Sequence, residues 1–581
     1  MLDETQRVRD VVICGGGLAG LLLARHIRRE FPGWSVTVIE RTRRPLPDAS
    51  HKVGESAVEL AAQYMERLGL GDYLLERHLV KFGLRFYPGG GELPLAARTD
   101  IGAGHDPIVR SWQLDRGRFE QDLRDRDEAD GVELVEGARV LDVELGDGGA
   151  QHVVVLEADG GPRRLAARWV VDATGRAAVL RRKLRLTRGS PHSASASWFR
   201  IAGRLDINDL VPASERAWHE RQGAERRWRS TNHLMGRGYW AWIIPLATGN
   251  TSIGIVIHDE VHDFHDISSL DRSRDFLRKH EPVLAGALQG REVLDFLCLK
   301  GYSHGVARAW SADRWAIVGD AGAFVDPLYS PGSDFIAIAN SFTVEMLRTD
   351  AAGGSLAEKA AQLNNQYRHL VNGSIDVFRQ AAPVYGHAHA MAAKVYWDNF
   401  AYWSFPCQYV QQGIYRLAPA QHAPFTAVGR RFVELSNFVQ HLLATWAELA
   451  PQAMPEPVYR QIPLFPSVLV EAHIAVGQRM TPDETLAYMR MRADQGVEIV
   501  GELVLRVVQE LGPELGRELL DTVEFERWNV GIPRERLEME SRAGLARRRG
   551  LSAIARDVAH SLGRVSRHAG AARARELLGQ G

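Results

Sequence analysis

Val11-Val12-Ile13-Cys14-Gly15-Gly16-Gly17-Leu18-Ala19-Gly20 decides how the N-terminal part of this chain folds. The apolar run Val11 to Cys14 suits a strand buried on both faces. Gly15, Gly17 and Gly20 occupy the three positions of a G-x-G-x-x-G turn, and the apolar stretch Leu21 to Ile27 continues from it with helical character. The strand-like segment Ser35 to Glu40 comes next and ends in an acid. Glycines at this spacing permit a tight turn and a close backbone approach to a pyrophosphate, which the positive end of the helix then faces. A carboxylate ending the second strand can accept hydrogen bonds from a ribose. The arrangement predicts a dinucleotide-binding βαβ unit, with Gly15, Gly17, Leu18, Ala19, Gly20 and Glu40 at the ligand. A glycine-rich turn without a ligand is the plainer alternative.

Further along, Ser56 to Leu68 reads as a helix, and Lys81 to Tyr87 as a strand entering the Gly89-Gly90-Gly91 turn. Asp115 to Asp127 has the pattern of a charged amphipathic helix. Strand signals follow at Val132–Val135, Val140–Leu145, Val153–Leu156 and Leu165–Val171, ending at Asp172-Ala173-Thr174-Gly175. Ser193 to Ile207 and Tyr239 to Ile257 predict strands of a second sheet. Arg314 to Asp320 is another apolar strand, and Phe335 to Leu347 a helix. Residues 355–581 are mostly helical in period, with breaks near Ala382-Pro383, Pro451–Pro457 and Pro463–Pro466. The expected class is α/β (α+β). A Rossmann-like domain is built from 1–184 and 301–350, a β-rich substrate domain spans 185–300, and a helical C-terminal region spans 351–581. Aromatic residues crowd Tyr385 to Trp446, where they would shape a substrate cavity or simply pack a core.

Composition narrows the function. The chain has 581 residues, 45% hydrophobic and 25% charged, which excludes a disordered or collagenous protein. Lys plus Arg is 71 against 72 for Asp plus Glu, so no basic bias points to nucleic acid. Cys14, Cys298 and Cys407 form no CxxC pair, and no histidine cluster has metal-ligand spacing; His51, His78, His233 and His304 are scattered. No metal site is expected. No apolar stretch reaches the ~18 residues of a membrane span, and no secretory h-region is present, so a cytoplasmic protein is expected. From Ser541 onward nine Arg stand against one Asp and one Glu, a solvated helical face or a partner surface for an acidic protein.

Three further motifs carry a resemblance. Leu165 to Arg176 is a strand entering Asp-Ala-Thr-Gly-Arg, Trp315 to Asp320 a strand entering Gly-Asp-Ala-Gly, and Arg116 stands in Leu-Asp-Arg-Gly-Arg-Phe. With Gly15–Gly20, in this order over residues 8–350, they resemble the FAD-dependent monooxygenase and halogenase superfamily. The resemblance implies an FAD-binding fold of the p-hydroxybenzoate hydroxylase type. It also implies that Asp320 binds a ribityl hydroxyl and that Arg116 reaches the FAD phosphates. A helix N-cap is an ordinary structural role for Asp320, compatible with that one.

Two features resemble the flavin-dependent (tryptophan-type) halogenases within that superfamily. Tyr239-Trp240-Ala241-Trp242-Ile243-Ile244-Pro245 contains WxWxIP. Trp240 and Trp242 fall on one strand face and are expected to wall the organic substrate off from the flavin; core tryptophans are the bland alternative. Lys81, in Leu-Val-Lys-Phe-Gly-Leu-Arg-Phe, resembles the family's catalytic lysine, in a chain with seven Lys and sixty-four Arg. The resemblance implies that reduced FAD, O2 and halide give hypohalous acid, which Lys81 hydrogen-bonds or captures as a haloamine. An edge-strand solvated lysine is the alternative, and Lys52 is a rival amine on the flavin side.

Halide as co-substrate would be held by the backbone in Asp326-Pro327-Leu328-Tyr329-Ser330-Pro331-Gly332-Ser333. Pro331 has no N–H, which leaves Gly332, Ser333 or a neighbour to donate. Tyr329 stands where tryptophan halogenases place a glutamate base, and Asp334 is a substitute base or a helix N-terminal acid. No second G-x-G-x-x-G suggests an NAD(P)H site, so a separate flavin reductase is expected to supply reduced FAD. The implied activity is halogenation of an electron-rich aromatic, phenolic or pyrrolic compound, free or carrier-bound. A flavin-dependent monooxygenase or dehydrogenase that ignores halide is the alternative. A flavoprotein that binds a carrier without catalysis is a third reading, opposed by the intact Gly15–Gly20 and Asp320 motifs.

Overall fold

A computed structural model describes residues 2–47, 52–451, 459–461, 468–543 and 552–562. His51, most of the two proline-rich breaks at 451–457 and 463–466, and most of the arginine-rich end lie outside the described residues.

One compact unit is formed by Met1–Leu79, Trp112–Pro191 and Tyr302–Ile375. In it the strand Leu2–Cys14 lies between Val36–Glu40 and Gly161–Asp172, parallel to both. Val11, Val12 and Ile13 are wholly buried, as their unbroken apolar run requires. Glu133–Glu136 pairs with the outer edge of Val36–Glu40. The long strand Gly161–Asp172 has two partners on its other side: its first half pairs antiparallel with His152–Ala158, its last residues parallel with Trp315–Ile317. The carboxyl ends of four parallel strands therefore stand side by side. They carry Glu40, Gly15, Asp172 and the turn Gly319–Ala321. In open α/β sheets this edge is where ligands bind.

Helices differ from the sequence expectation at their ends. The helix expected over 56–68 runs Glu59–Arg67, and that expected over 115–127 runs Arg116–Ala129. The helix expected over 335–347 is Pro331–Ala351. Proline is tolerated at its first position, where its missing N–H has no helical partner to lose. Arg116–Ala129 buries a charged stripe: Arg116, Glu120, Arg124 and Asp127 are all buried.

The second unit comprises Val80–Ser111, His192–Gly301 and Asp376–Gly581. Its sheet orders Val293–Leu299, Ala194–Ile201, Thr251–His258, Tyr239–Pro245, Thr231–Gly236, Leu84–Tyr87, Asp100–Gly102 and Tyr459–Gln461. The segment 239–257 is thus a hairpin of two strands, and Lys81 precedes its strand rather than opening it. One face of the sheet, including Phe199, Tyr239, Ala241, Ile243 and Ile255, packs in a core with Trp218, Phe276 and Leu284. By the period-2 alternation of a strand, Trp240 and Trp242 point to the other face. In the C-terminal helices the dense aromatics are core residues: Trp397, Phe400, Phe432, Phe438 and Trp446 are buried. No helix among the described residues is long and apolar enough to cross a membrane.

Candidate functional site

The helix Leu18–Glu30 begins at Gly17 with no side chain capping it. Its first-turn N–H groups therefore lack both an intrahelical acceptor and a capping one. The side of Gly17 is open, with no atom within 4 Å of where a Cβ would stand. Glu40 is braced from this turn: Oε2 accepts the Gly16 N–H at 2.8 Å, and Oε1 accepts the Thr42 N–H and hydroxyl, each at 2.9 Å. The carboxylate is held in place with lone pairs remaining for a ribose. An uncapped helix end, an open glycine and a fixed acid fit the pyrophosphate and ribose of a dinucleotide.

Arg116 lies at the start of its helix. Its Nη1 donates to Val53 O at 2.7 Å and its Nη2 to Glu120 Oε1 at 2.6 Å. Lys52 binds the other oxygen of Glu120. Burial opposes ionisation of Glu120, but Arg116 and Lys52 outweigh it and hold the carboxyl below its ordinary range. One turn on, Arg124 donates to Gly16 O at 3.3 Å, Thr42 O at 3.1 Å and Glu136 at 2.8 Å, bracing the glycine turn. Neither Glu120 nor Arg124 was singled out from the sequence. Their i, i+4, i+8 spacing from Arg116 was the available signal.

Asp320 sits in the turn Gly319–Ala321. Burial pushes its carboxyl above the usual carboxylate range, against the pull of Arg116, His304, Arg176 and Arg181. The arginines among them, Arg116, Arg176 and Arg181, are all charged near Asp320, at the carboxyl ends of the strands where an anionic cofactor would lie. Arg176 and Arg181 are further residues the sequence reading did not select. Asp172, in contrast, is consumed locally: it accepts Thr174 N at 3.0 Å, Thr174 Oγ1 at 2.6 Å and Leu180 N at 2.7 Å.

Gly332 and Ser333 lie in the first turn of Pro331–Ala351, after Ser330 at φ 60°. No atom stands within 4 Å of a Cβ built on Gly332, and Ser333 Oγ is buried without a hydrogen-bond partner. Open space, a helix N-terminus and an unsatisfied hydroxyl suit a small anion. Asp334 is engaged elsewhere, its Oδ1 accepting the Ala61 N–H at 2.9 Å in the first turn of Glu59–Arg67. That contact makes it a helix-terminal acid. Tyr329 is half-buried in the turn before Ser330.

In the second unit Lys81 is 0% exposed, which rules out the solvated edge-strand lysine. Its N–H donates to Ser111 O at 2.9 Å, and the next residue's N–H, of Phe82, to Arg229 O at 3.1 Å. Two segments therefore fix the backbone that carries the amine. Trp240 and Trp242 are 1% and 3% exposed, with ring centroids 5.7 Å apart. His233 lies 5.4 Å from Trp240 and stacks on Phe86 at 4.8 Å, so an aromatic surface crosses three strands. Gly254 makes room for it: a Cβ there would lie 2.1 Å from Trp242 Cζ2. Among the described residues no cluster of His, Cys, Asp and Glu could hold a metal ion. His78 is a satisfied core histidine, 3.1 Å from Tyr73 Oη, with its pKa lowered to about 3 by burial, then by Arg118 and Arg77.

The fold and the uncapped glycine turn define a dinucleotide-binding protein. The chain belongs to the FAD binding domain family, whose model matches residues 9–342. Its relatives are flavin-dependent halogenases. Flavin-dependent halogenase chlA of Dictyostelium discoideum is 29% identical over 475 residues, covering 75% of this chain and 76% of that one. The 1H-pyrrole-2-carbonyl-peptidyl-carrier-protein brominase of Pseudoalteromonas luteoviolacea is 27% identical over 334 residues, covering 56% and 74%. The crystal structure of halogenase PltM superposes with a TM-score of 0.59 at 14% identity, covering 84% of this chain and 96% of that one. The chain is an FAD-dependent enzyme of the flavin-dependent halogenase group.

Proposed function

We propose that this enzyme halogenates an electron-rich aromatic, phenolic or pyrrolic substrate, free or carrier-bound, with Lys81 delivering the electrophile. When bound, reduced FAD supplies, with O2 and halide, the hypohalous acid. The remaining tasks fall to the chain. Gly15, Gly17, Leu18, Ala19 and Gly20 hold the pyrophosphate, Glu40 the adenosine ribose, Arg116 the phosphates and Asp320 the ribityl chain. The amides of Gly332 and Ser333, with the Ser333 hydroxyl, hold the halide. Lys81 donates a hydrogen bond to the oxygen of the hypohalous acid. This draws electrons from the halogen, so that a ring carbon attacks the halogen as the oxygen–halogen bond breaks. The ammonium passes a proton to the departing oxygen, which leaves as water, and the proton lost from the ring carbon restores the ammonium by way of solvent. Away from water such a hydrogen bond is stronger. Trp240 and Trp242 present an aromatic surface that excludes a bulky reactant while a small oxidant passes. A flavin reductase supplies the reduced cofactor, and two relatives named for carrier-held pyrrole, a brominase and a chlorinase, make a carrier-bound pyrrole one candidate substrate.

The observation that carries this reading is the complete burial of Lys81 in a chain where Lys is scarce. Burying an amine is costly, and a buried lysine is either paired within the fold, as Lys394 is with Asp398, or kept for a task, which the motif around Lys81 points to. Lys81→Ala, and Lys81→Met to preserve volume, are expected to lose at least about 100-fold in halogenated product, within the range of a lost catalytic donor. FAD affinity should stay within threefold. Product formation with reductase, with and without bromide, is the assay. Normal halogenation by Lys81→Met, or oxygenated product indifferent to bromide, overturns the reading.

A further inference from the structure

The segment Tyr302–His304 runs behind two loops of the flavin unit. His304 Nε2 is 2.9 Å from Asp320 O, and the His304 N–H donates to Phe324 O at 2.8 Å. Tyr302 Oη donates to Asp326 Oδ2 at 2.6 Å. Asp326 in turn accepts the Leu328 N–H on Oδ1 at 2.9 Å, and the Ser330 N–H donates to Pro327 O at 2.9 Å. The Asp326 carboxylate thus links the turn at Leu328 to the Tyr302 phenol. Tyr302 and Asp326 are 5% and 1% exposed, so bulk water does not readily replace either contact.

The loop ends in a demanding conformation. Ser330 takes φ 60°, a left-handed geometry that a side chain disfavours and that persists only where surroundings impose it. Pro331 follows and has no N–H, so the first amide of the helix available to an anion belongs to Gly332. With so few donors, their direction matters, and it is set by the loop before them.

We propose that Tyr302 is a positioning residue for halide: through Asp326 it fixes the loop that aims the Gly332 and Ser333 amides. This rests on the proposed halogenase function. The neighbouring His304 holds the Asp320 carbonyl, but that contact does not pass through the phenol. Loss of the hydroxyl should therefore weaken halide binding and leave FAD binding alone. The Tyr302 ring keeps its edge contact with Phe324, at 5.5 Å between centroids, in a phenylalanine variant.

The test is Tyr302→Phe in the full-length enzyme, assayed with a flavin reductase and an aromatic substrate across bromide concentrations. The expected result is a bromide KM raised roughly tenfold, as for one lost hydrogen bond to a buried charge. The kcat at saturating bromide and the FAD Kd, measured by flavin fluorescence quenching, should each stay within twofold. Asp326→Asn, whose amide still meets both partners, should raise KM less than Asp326→Ala. An unchanged bromide KM in Tyr302→Phe, or a KM and FAD Kd that worsen together, overturns the positioning role and leaves the halogenase reading standing. Wild-type product independent of bromide overturns both.

Discussion

A Cβ on Gly319 would stand 2.8 Å from the Cβ of Ala19. The turn that presents Asp320 is thereby pressed against the first turn of the helix that begins at Gly17. Asn340 strengthens the junction by donating to Ala19 O at 3.0 Å. Two motifs 300 residues apart, Ala19 and Gly319, meet with no space for a methyl group.

Gly319 also has φ 59°, so Gly319→Ala combines a clash with a left-handed alanine. The conformational part alone costs roughly 1–2 kcal/mol. The expected outcome is a lower melting temperature and an FAD Kd weakened at least about tenfold. Thermal unfolding and flavin titration check it. A variant with wild-type affinity would show that the junction does not set the cofactor site.

Ser333→Ala removes a buried hydroxyl that has no hydrogen-bond partner. Deleting an unsatisfied polar group is neutral or stabilising for the fold. The melting temperature should therefore hold or rise, while the KM for halide increases several-fold, on the order of one neutral hydrogen bond. A fall in stability with unchanged KM would place the hydroxyl in the fold rather than the anion site.

Glu120 makes a pH prediction. Burial raises its pKa, but Arg116 and Lys52 bring the folded value below the ordinary 4.5. A depressed carboxyl stabilises the folded state fully above its unfolded value, and this is lost as pH falls through the folded value. Glu120→Gln should therefore flatten the loss of stability on acidification below about pH 4.5, while lowering stability at neutral pH. Melting curves of both proteins between neutral pH and acid test this. Parallel curves would show that Glu120 is not the titrating group. FAD affinity should fall in the variant at neutral pH, because Arg116 loses its anchor.

The dinucleotide unit was legible because its signals are local. Val11–Cys14, the glycine spacing and Glu40 lie within one βαβ stretch, and each element's chemistry follows from neighbours in sequence. Lys81 and the two indoles were recognisable from their motifs, while the burial of the amine required the folded chain. The bracing residues were not legible. Arg116 was marked by its motif, but Glu120 and Arg124 read as part of a charged surface stripe, since charge on a helix usually faces water. Only packing against the glycine turn turns that stripe inward. The requirement for glycine at 254 comes from the Trp242 ring on the neighbouring strand, a contact that no local pattern announces.

Sequence alone determined the strand–turn–helix order and the dinucleotide character of the N-terminal unit, because each depends on contiguous residues, and it singled out Lys81 as the candidate amine. Tertiary structure decided which distant residues share a surface. It placed Gly319 on Ala19, tied Tyr302 to Asp326 and joined Asp334 to the first turn of the helix Glu59–Arg67. Such contacts join positions far apart in the chain. They are set by excluded volume and by the need to pair buried polar groups, neither of which leaves a local pattern.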